Sequence, residues 1–198
     1  METIFQHLKT KPVFSIADAK RADIGNTSSQ YAQAFFENLG ADAVTLAPYM
    51  GSDSIAPFLQ YVDRTAILLA LTSNPGHADF EILELKNGKR LFEQVLETAL
   101  SWPKKGELMF VVGATRSSEI ASIRKICPDS FLLVPGVGAQ GGSLEEISKL
   151  GMNNQIGLLV NASRSILYAS SGADFGQKAA EEARSIQQEM AKFLAERN

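Results

Sequence analysis

Asp18, Lys20 and Asp23 set two carboxylates around one ammonium at the end of the apolar run Val13-Phe14-Ser15-Ile16-Ala17. That run reads as a strand. Side chains alternate across a strand, so Asp18 and Lys20 project to the same side, and the chain has begun to turn by Asp23. Such an array is either a solvated charged turn or a pocket that uses its field, because like charges held close cannot all stay ionised cheaply. Thr27 with Gln30 has the form of a helix-capping box, which predicts that the charges sit where a strand hands over to a helix.

A second set of residues could hold an anion. Pro135-Gly136-Val137-Gly138-Ala139-Gln140-Gly141-Gly142 precedes the helical pattern Ser143–Leu150, so its amides can face a phosphate at a helix start. Arg164, after the run Ile156–Val160, offers a planar and permanently charged donor. The alternative is a tight glycine turn beside a surface arginine. Gly136 to Gly141 also matches the dinucleotide fingerprint G-x-G-x-x-G. That fingerprint expects an acid at the end of the next strand, where this chain has Asn161, and it belongs to a first strand–helix unit rather than a late one.

The elements that must position these groups alternate regularly. Apolar runs at Val13–Ala17, Ala43–Ala47, Ala66–Leu71, Leu108–Gly113, Phe131–Val134 and Ile156–Val160 predict six strands. Helical patterns lie between them at Ser28–Leu39, Asp53–Val62, Lys89–Trp102, Ser117–Cys127 and Ser143–Leu150, the last opened by a Ser143/Glu146 capping box. Ala179, Ala183, Ile186, Met190 and Phe193 predict a buried stripe on a final helix. Near-continuous apolar strands alternating with helices indicate a parallel sheet, either a doubly wound open sheet or a (β/α) barrel. The polar and glycine-rich loops, including Thr72-Ser73-Asn74-Pro75-Gly76, all follow strand C-termini. That is the active face of a barrel, whose last two strand ends commonly take a phosphate.

Composition narrows the partners. The 198 residues, 45% hydrophobic, predict one globular domain over 1–198, and a net charge of −3 gives no broad basic field for nucleic acid. No run reaches membrane-spanning length and no signal-peptide pattern opens the chain, so a cytoplasmic location is expected. Cys127 is the only cysteine, and Pro128 after it suggests a helix end rather than a nucleophile. His7 and His77 stand far apart outside any metal-ligand cluster, so no metal site is expected.

The runs Ile16 to Thr27, Pro135 to Gly142 and Arg164-Ser165-Ile166, in that order, resemble orotidine 5′-monophosphate decarboxylase across essentially the whole chain. The resemblance implies an α/β fold of the (β/α)8 TIM-barrel family, with about six βα units present here. It implies a homodimer with shared sites that converts orotidine monophosphate to uridine monophosphate, in pyrimidine biosynthesis, without a cofactor. By the same resemblance Lys20 is the proton donor to C6 and Asp18 the carboxylate that crowds the substrate carboxylate. Asp23 and Thr27 reach the neighbouring subunit's ribose, Ser73 binds the pyrimidine, and Gln140 and Arg164 grip the phosphate. A barrel has eight strands and about 250 residues. The family's first-strand ribose aspartate and second-strand lysine have no counterpart before Val13, so a member lacking its first two βα units, and inactive alone, is expected. Two other readings are a Mg²⁺-dependent sugar-phosphate decarboxylase of the same suprafamily and an inactive phosphate-binding open barrel.

Overall fold

A computed structural model describes residues 1–137 and 142–196. In chain order the elements are α1 (Glu2–Leu8), β1 (Ile16–Arg21), α2 (Gly25–Gln33) running into a π-helical turn (Ala34–Asn38), β2 (Ala43–Leu46), a 3-10 turn (Pro48–Met50), α3 (Ser52–Leu59) and β3 (Thr65–Leu71). There follow α4 (His77–Phe80), α5 (Leu91–Leu100), β4 (Glu107–Val112), a 3-10 turn (Ala114–Arg116), α6 (Ser117–Ile126), β5 (Leu132–Pro135), α7 (Leu144–Gly151), β6 (Leu158–Asn161), α8 (Arg164–Leu167) and α9 (Phe175–Ala195). The strands hydrogen-bond in the order β1-β2-β3-β4-β5-β6, and the pairs β1/β2, β2/β3 and β5/β6 are parallel. A doubly wound sheet reverses its strand order at a switch point. Sequential order has no reversal and is the order of a (β/α) barrel.

Contacts divide the chain into two compact units, Met1–Ala70 with Glu81–Phe110, and Leu71–Phe80 with Val111–Asn198. In the first, every residue of β2 is buried and β3 is nearly so, as a strand covered on both faces requires. Phe36 meets Phe58 edge to face, with ring centroids 6.0 Å apart, and Ile55, Leu59, Leu68 and Leu96 are fully buried in the same unit. In the second unit Val112, Ile120, Ile123, Leu132, Val134 and Ile147 are among the fully buried residues.

Three expectations are corrected. The first strand begins at Ile16, not Val13, and runs on through the charges to Arg21, while Val13 and Phe14 are half exposed. The pairing starts at Ile16 because Asp42 Oδ2 accepts from both Ser15 N and Ser15 Oγ, which fixes where β1 meets β2. The helix expected from Ser28 starts at Gly25, so Thr27 lies inside its first turn and does not cap it. The apolar stripe of α9 is only half covered, and none of its residues is fully buried. Ser143, by contrast, caps α7 by accepting from Glu146 N at 3.2 Å, while the Glu146 carboxylate accepts from Ser117 Oγ. Cys127 closes α6, buried, and burial pushes its thiol up to about 11, which removes it as a nucleophile at neutral pH.

Candidate active site

In the first unit β1 carries an irregularity where the chemistry sits. Ala17 pairs with Val44 and Arg21 with Leu46, so four steps along β1 are set against two along β2. The excess chain bulges, and within it Lys20 adopts a left-handed φ of 48°. That conformation costs a residue with a Cβ about 1 kcal/mol or more. Thr45, fully buried on β2, holds the bulge at both ends: its hydroxyl accepts from Lys20 N–H at 2.9 Å and donates to Asp18 Oδ1 at 2.9 Å. Lys20 Nζ then donates to the same Oδ1 at 2.5 Å. Both charged side chains stay more than half exposed, at 52% and 64%. An exposed pair contributes about 0–1 kcal/mol, no more than the strain beside it. Stability therefore does not account for the arrangement; holding an ammonium at a fixed place on the strand end does.

Partial burial raises the Asp18 carboxyl, but the hydrogen bonds from Lys20 and Thr45 and the Lys20 charge outweigh it and hold the group below its ordinary value of 3.8. A depressed folded pKa contributes stability that is complete above the ordinary value and is lost as pH falls through the lower folded one. Asp18→Asn should thus lower the melting temperature slightly at neutral pH, where that contribution is complete, and leave it nearly unchanged well below pH 4, flattening the acid limb of the profile. An unaltered acid limb would show that Asp18 is not linked to folding.

Asp23 lies just beyond β1, and its Oδ1 accepts from Ile24 N at 2.8 Å, so it shapes the turn rather than joining the Asp18–Lys20 pair. Thr27 stands exposed in the first turn of α2, and Ile24 between them is 59% exposed. The turn thus presents an acid, an isoleucine and a threonine outward.

The second unit holds the anion candidates. Pro135, Gly136, Val137, Asn161, Ala162, Ser163 and Arg164 line a small cleft of about 80 Å³ at the ends of β5 and β6. Gly136, with φ 94°, takes a conformation that a side chain would resist. Arg164 is exposed at the cleft and starts α8. Gln140 lies outside the described residues. Ser73 is half-buried in the loop after β3, which packs in this second unit although its strand starts in the first.

Sequence reasoning missed Thr45, although a threonine inside Ala43-Val44-Thr45-Leu46 is a visible signal: a polar group in a buried strand needs partners. It also missed His77 and Arg116, whose contact joins positions 39 residues apart. Among the described residues no group of three or more His, Cys, Asp or Glu side chains could hold a metal, and no helix is long and apolar enough to cross a membrane.

A family model described as orotidine 5′-phosphate decarboxylase / HUMPS family matches residues 2–182. The chain is 61% identical over 182 residues to orotidine 5′-phosphate decarboxylase of Flavobacterium johnsoniae, covering 92% of this chain and 66% of that one. It is 57% identical over 177 residues to the Porphyromonas gingivalis protein of the same name, covering 89% and 64%. Among solved structures it is similar to Leishmania donovani OMP decarboxylase, with 37% identity and a TM-score of 0.76 over 88% of this chain and 68% of that one. The chain spans about two thirds of the length of the curated relatives it matches.

Proposed function

The chain belongs to the orotidine 5′-phosphate decarboxylase / HUMPS family, and from that premise we propose that it carries the reacting half of a cofactor-free decarboxylase acting on orotidine 5′-monophosphate. The observation that carries the reading is the Lys20 ammonium, held by Asp18 and by a strained bulge at the end of β1. Decarboxylation breaks the bond between C6 and the carboxylate, CO₂ departs, and the electron pair stays on C6. With no electron sink in the ring, a fixed cation must face the developing charge, and Lys20 then gives its proton to C6 to form uridine monophosphate. Asp18 orients the ammonium and stands against the substrate carboxylate. Remote phosphate contacts hold the nucleotide while this happens, so their binding energy is expressed at the reacting carbon.

The reading extends to a cytoplasmic homodimer. Asp23 and Thr27 contact the ribose in the neighbouring site, and the exposed Ile24 between them supplies apolar surface for that contact. Ser73 takes the pyrimidine edge, and Gln140 and Arg164 take the phosphate. The test is an assay of orotidine monophosphate turnover in EDTA, on the 198-residue chain and on the chain extended to the length of its relatives. Turnover is expected in the extended form and absent from the short one. Activity lost in EDTA and restored by Mg²⁺ would overturn the cofactor-free reading.

Arg164→Ala separates a phosphate grip from a surface charge. It should weaken uridine monophosphate by about 1.5–3 kcal/mol, the worth of a charge-assisted contact, and leave uridine almost unchanged. Equal effects on both ligands, read by calorimetry, would return Arg164 to the surface.

A further inference from the structure

The turn after β4 lies against the Ser73 loop at two places, both within the second unit. Gly113 has an ordinary φ of −63°, so its backbone tolerates any residue. Space does not. A Cβ there would lie 2.8 Å from both Ser73 N and Ser73 Cβ and 3.0 Å from Ser73 Cα, closer than real side-chain carbons approach. Gly113 N–H also donates to Leu71 O at 2.8 Å, which locks the base of the loop to the base of the turn.

Three residues on, Arg116 reaches the far side of the same loop. Its Nη2 lies 3.1 Å from His77 Nδ1, and that ring nitrogen lies 2.8 Å from Asn74 O. A protonated Nδ1 donates to Asn74 O, and an unprotonated one accepts from Arg116, so the imidazole is tied to a partner in either state. Ser73 and Asn74 are thereby held between a backbone contact at Gly113 and a side-chain bridge from Arg116. Ala114, directly after Gly113, makes a further contact: a Cβ on Gly142, at the end of the glycine-rich segment, would lie 2.4 Å from Ala114 Cβ. One short turn therefore abuts the Ser73 loop and Gly142 together.

We propose that Gly113 and Arg116 are positioning residues for the pyrimidine contact, Gly113 by leaving room for the Ser73 backbone and Arg116 through His77. This rests on the reading of Ser73 as the residue that meets the base. Neither residue touches the ligand; both set where Ser73 is presented.

The experiment compares the affinity of full-length protein for uridine monophosphate with that for ribose 5-phosphate, which keeps the sugar and phosphate and lacks the base. Gly113→Ala, Arg116→Ala and His77→Ala should each lower the preference for the nucleotide about tenfold, the loss of one net hydrogen bond, with ribose 5-phosphate unchanged. The Arg116→Ala/His77→Ala double variant should be no worse than the weaker single one, since both remove the same bridge. Arg116→Lys, which keeps a donor, should restore most of the preference. Variants that retain the wild-type preference would overturn the proposal, as would equal losses for both ligands. Should Gly113→Ala fail to fold, the half-buried Arg116 and His77 decide alone. A wild-type protein with no preference between the two ligands would instead overturn the assignment of Ser73 to the base.

Discussion

On the role proposed for Lys20, and in the chain extended to the length of its relatives, Lys20→Ala is expected to cut turnover of orotidine monophosphate by about four orders of magnitude or more, while the affinity for uridine monophosphate moves by less than about threefold. The asymmetry follows from when the ammonium acts. Before CO₂ leaves, C6 carries no charge for Lys20 to stabilise; as the bond breaks, the charge appears within reach of a cation already in place. An interaction made only in the transition state lowers kcat without weakening ground-state binding. Uridine monophosphate is the right probe because it has no carboxylate, so the Asp18 charge left unpaired by the substitution does not repel it. The fold should tolerate the change, since the Asp18–Lys20 pair is exposed and Thr45 still holds the bulge. Turnover and product affinity falling together, in steady-state kinetics and titration, would make Lys20 a binding residue and not the proton donor.

Arg124→Met should destabilise the protein by about 3–5 kcal/mol, a third or more of a typical folding free energy, without touching the site directly. From α6 its guanidinium donates to Gly151 O through Nε at 2.9 Å and through Nη2 at 2.7 Å, to Gly157 O at 3.0 Å, and through Nη1 to Cys127 O at 3.0 Å and Ser130 O at 2.6 Å. These carbonyls close α6 and α7 and lead into β5 and β6. Methionine fills the apolar stem and leaves the carbonyls without their donor, which costs more than the bonds themselves contribute. Denaturant unfolding measures the loss, and hydrogen exchange should localise it to the second unit. A change below about 1 kcal/mol would mean that solvent replaces the guanidinium at little cost.

The alternation of strands and helices was legible because each buried strand is a run of apolar residues, and the loop chemistry already pointed to a barrel. What could not be read is where pairing begins. Val13 and Phe14 have strand-forming side chains, yet pairing starts at Ile16, since Asp42, 27 positions from Ser15, fixes the register. The Asp18–Lys20 pairing was readable from their spacing, whereas the bulge beneath it was not, because it depends on Thr45 of the neighbouring strand. Helical periodicity identified the inward face of α9, but periodicity says which side seeks cover and not how much cover there is; Ile186, Met190 and Phe193 stay partly exposed. His77 and Arg116 looked unremarkable in sequence for the same reason: their meaning is a tertiary contact.

The left-handed backbone at Lys20 also bears on how the sequence would drift if it were released from its chemistry. Asparagine tolerates that conformation better than lysine, and glycine adopts it freely. A library passed only through a screen for soluble, folded chains should therefore accumulate Asn or Gly at position 20, gaining stability while losing its ammonium. If Lys20 has the role proposed for it, a parallel library selected for turnover should keep lysine at position 20, so the two libraries should diverge at that one residue.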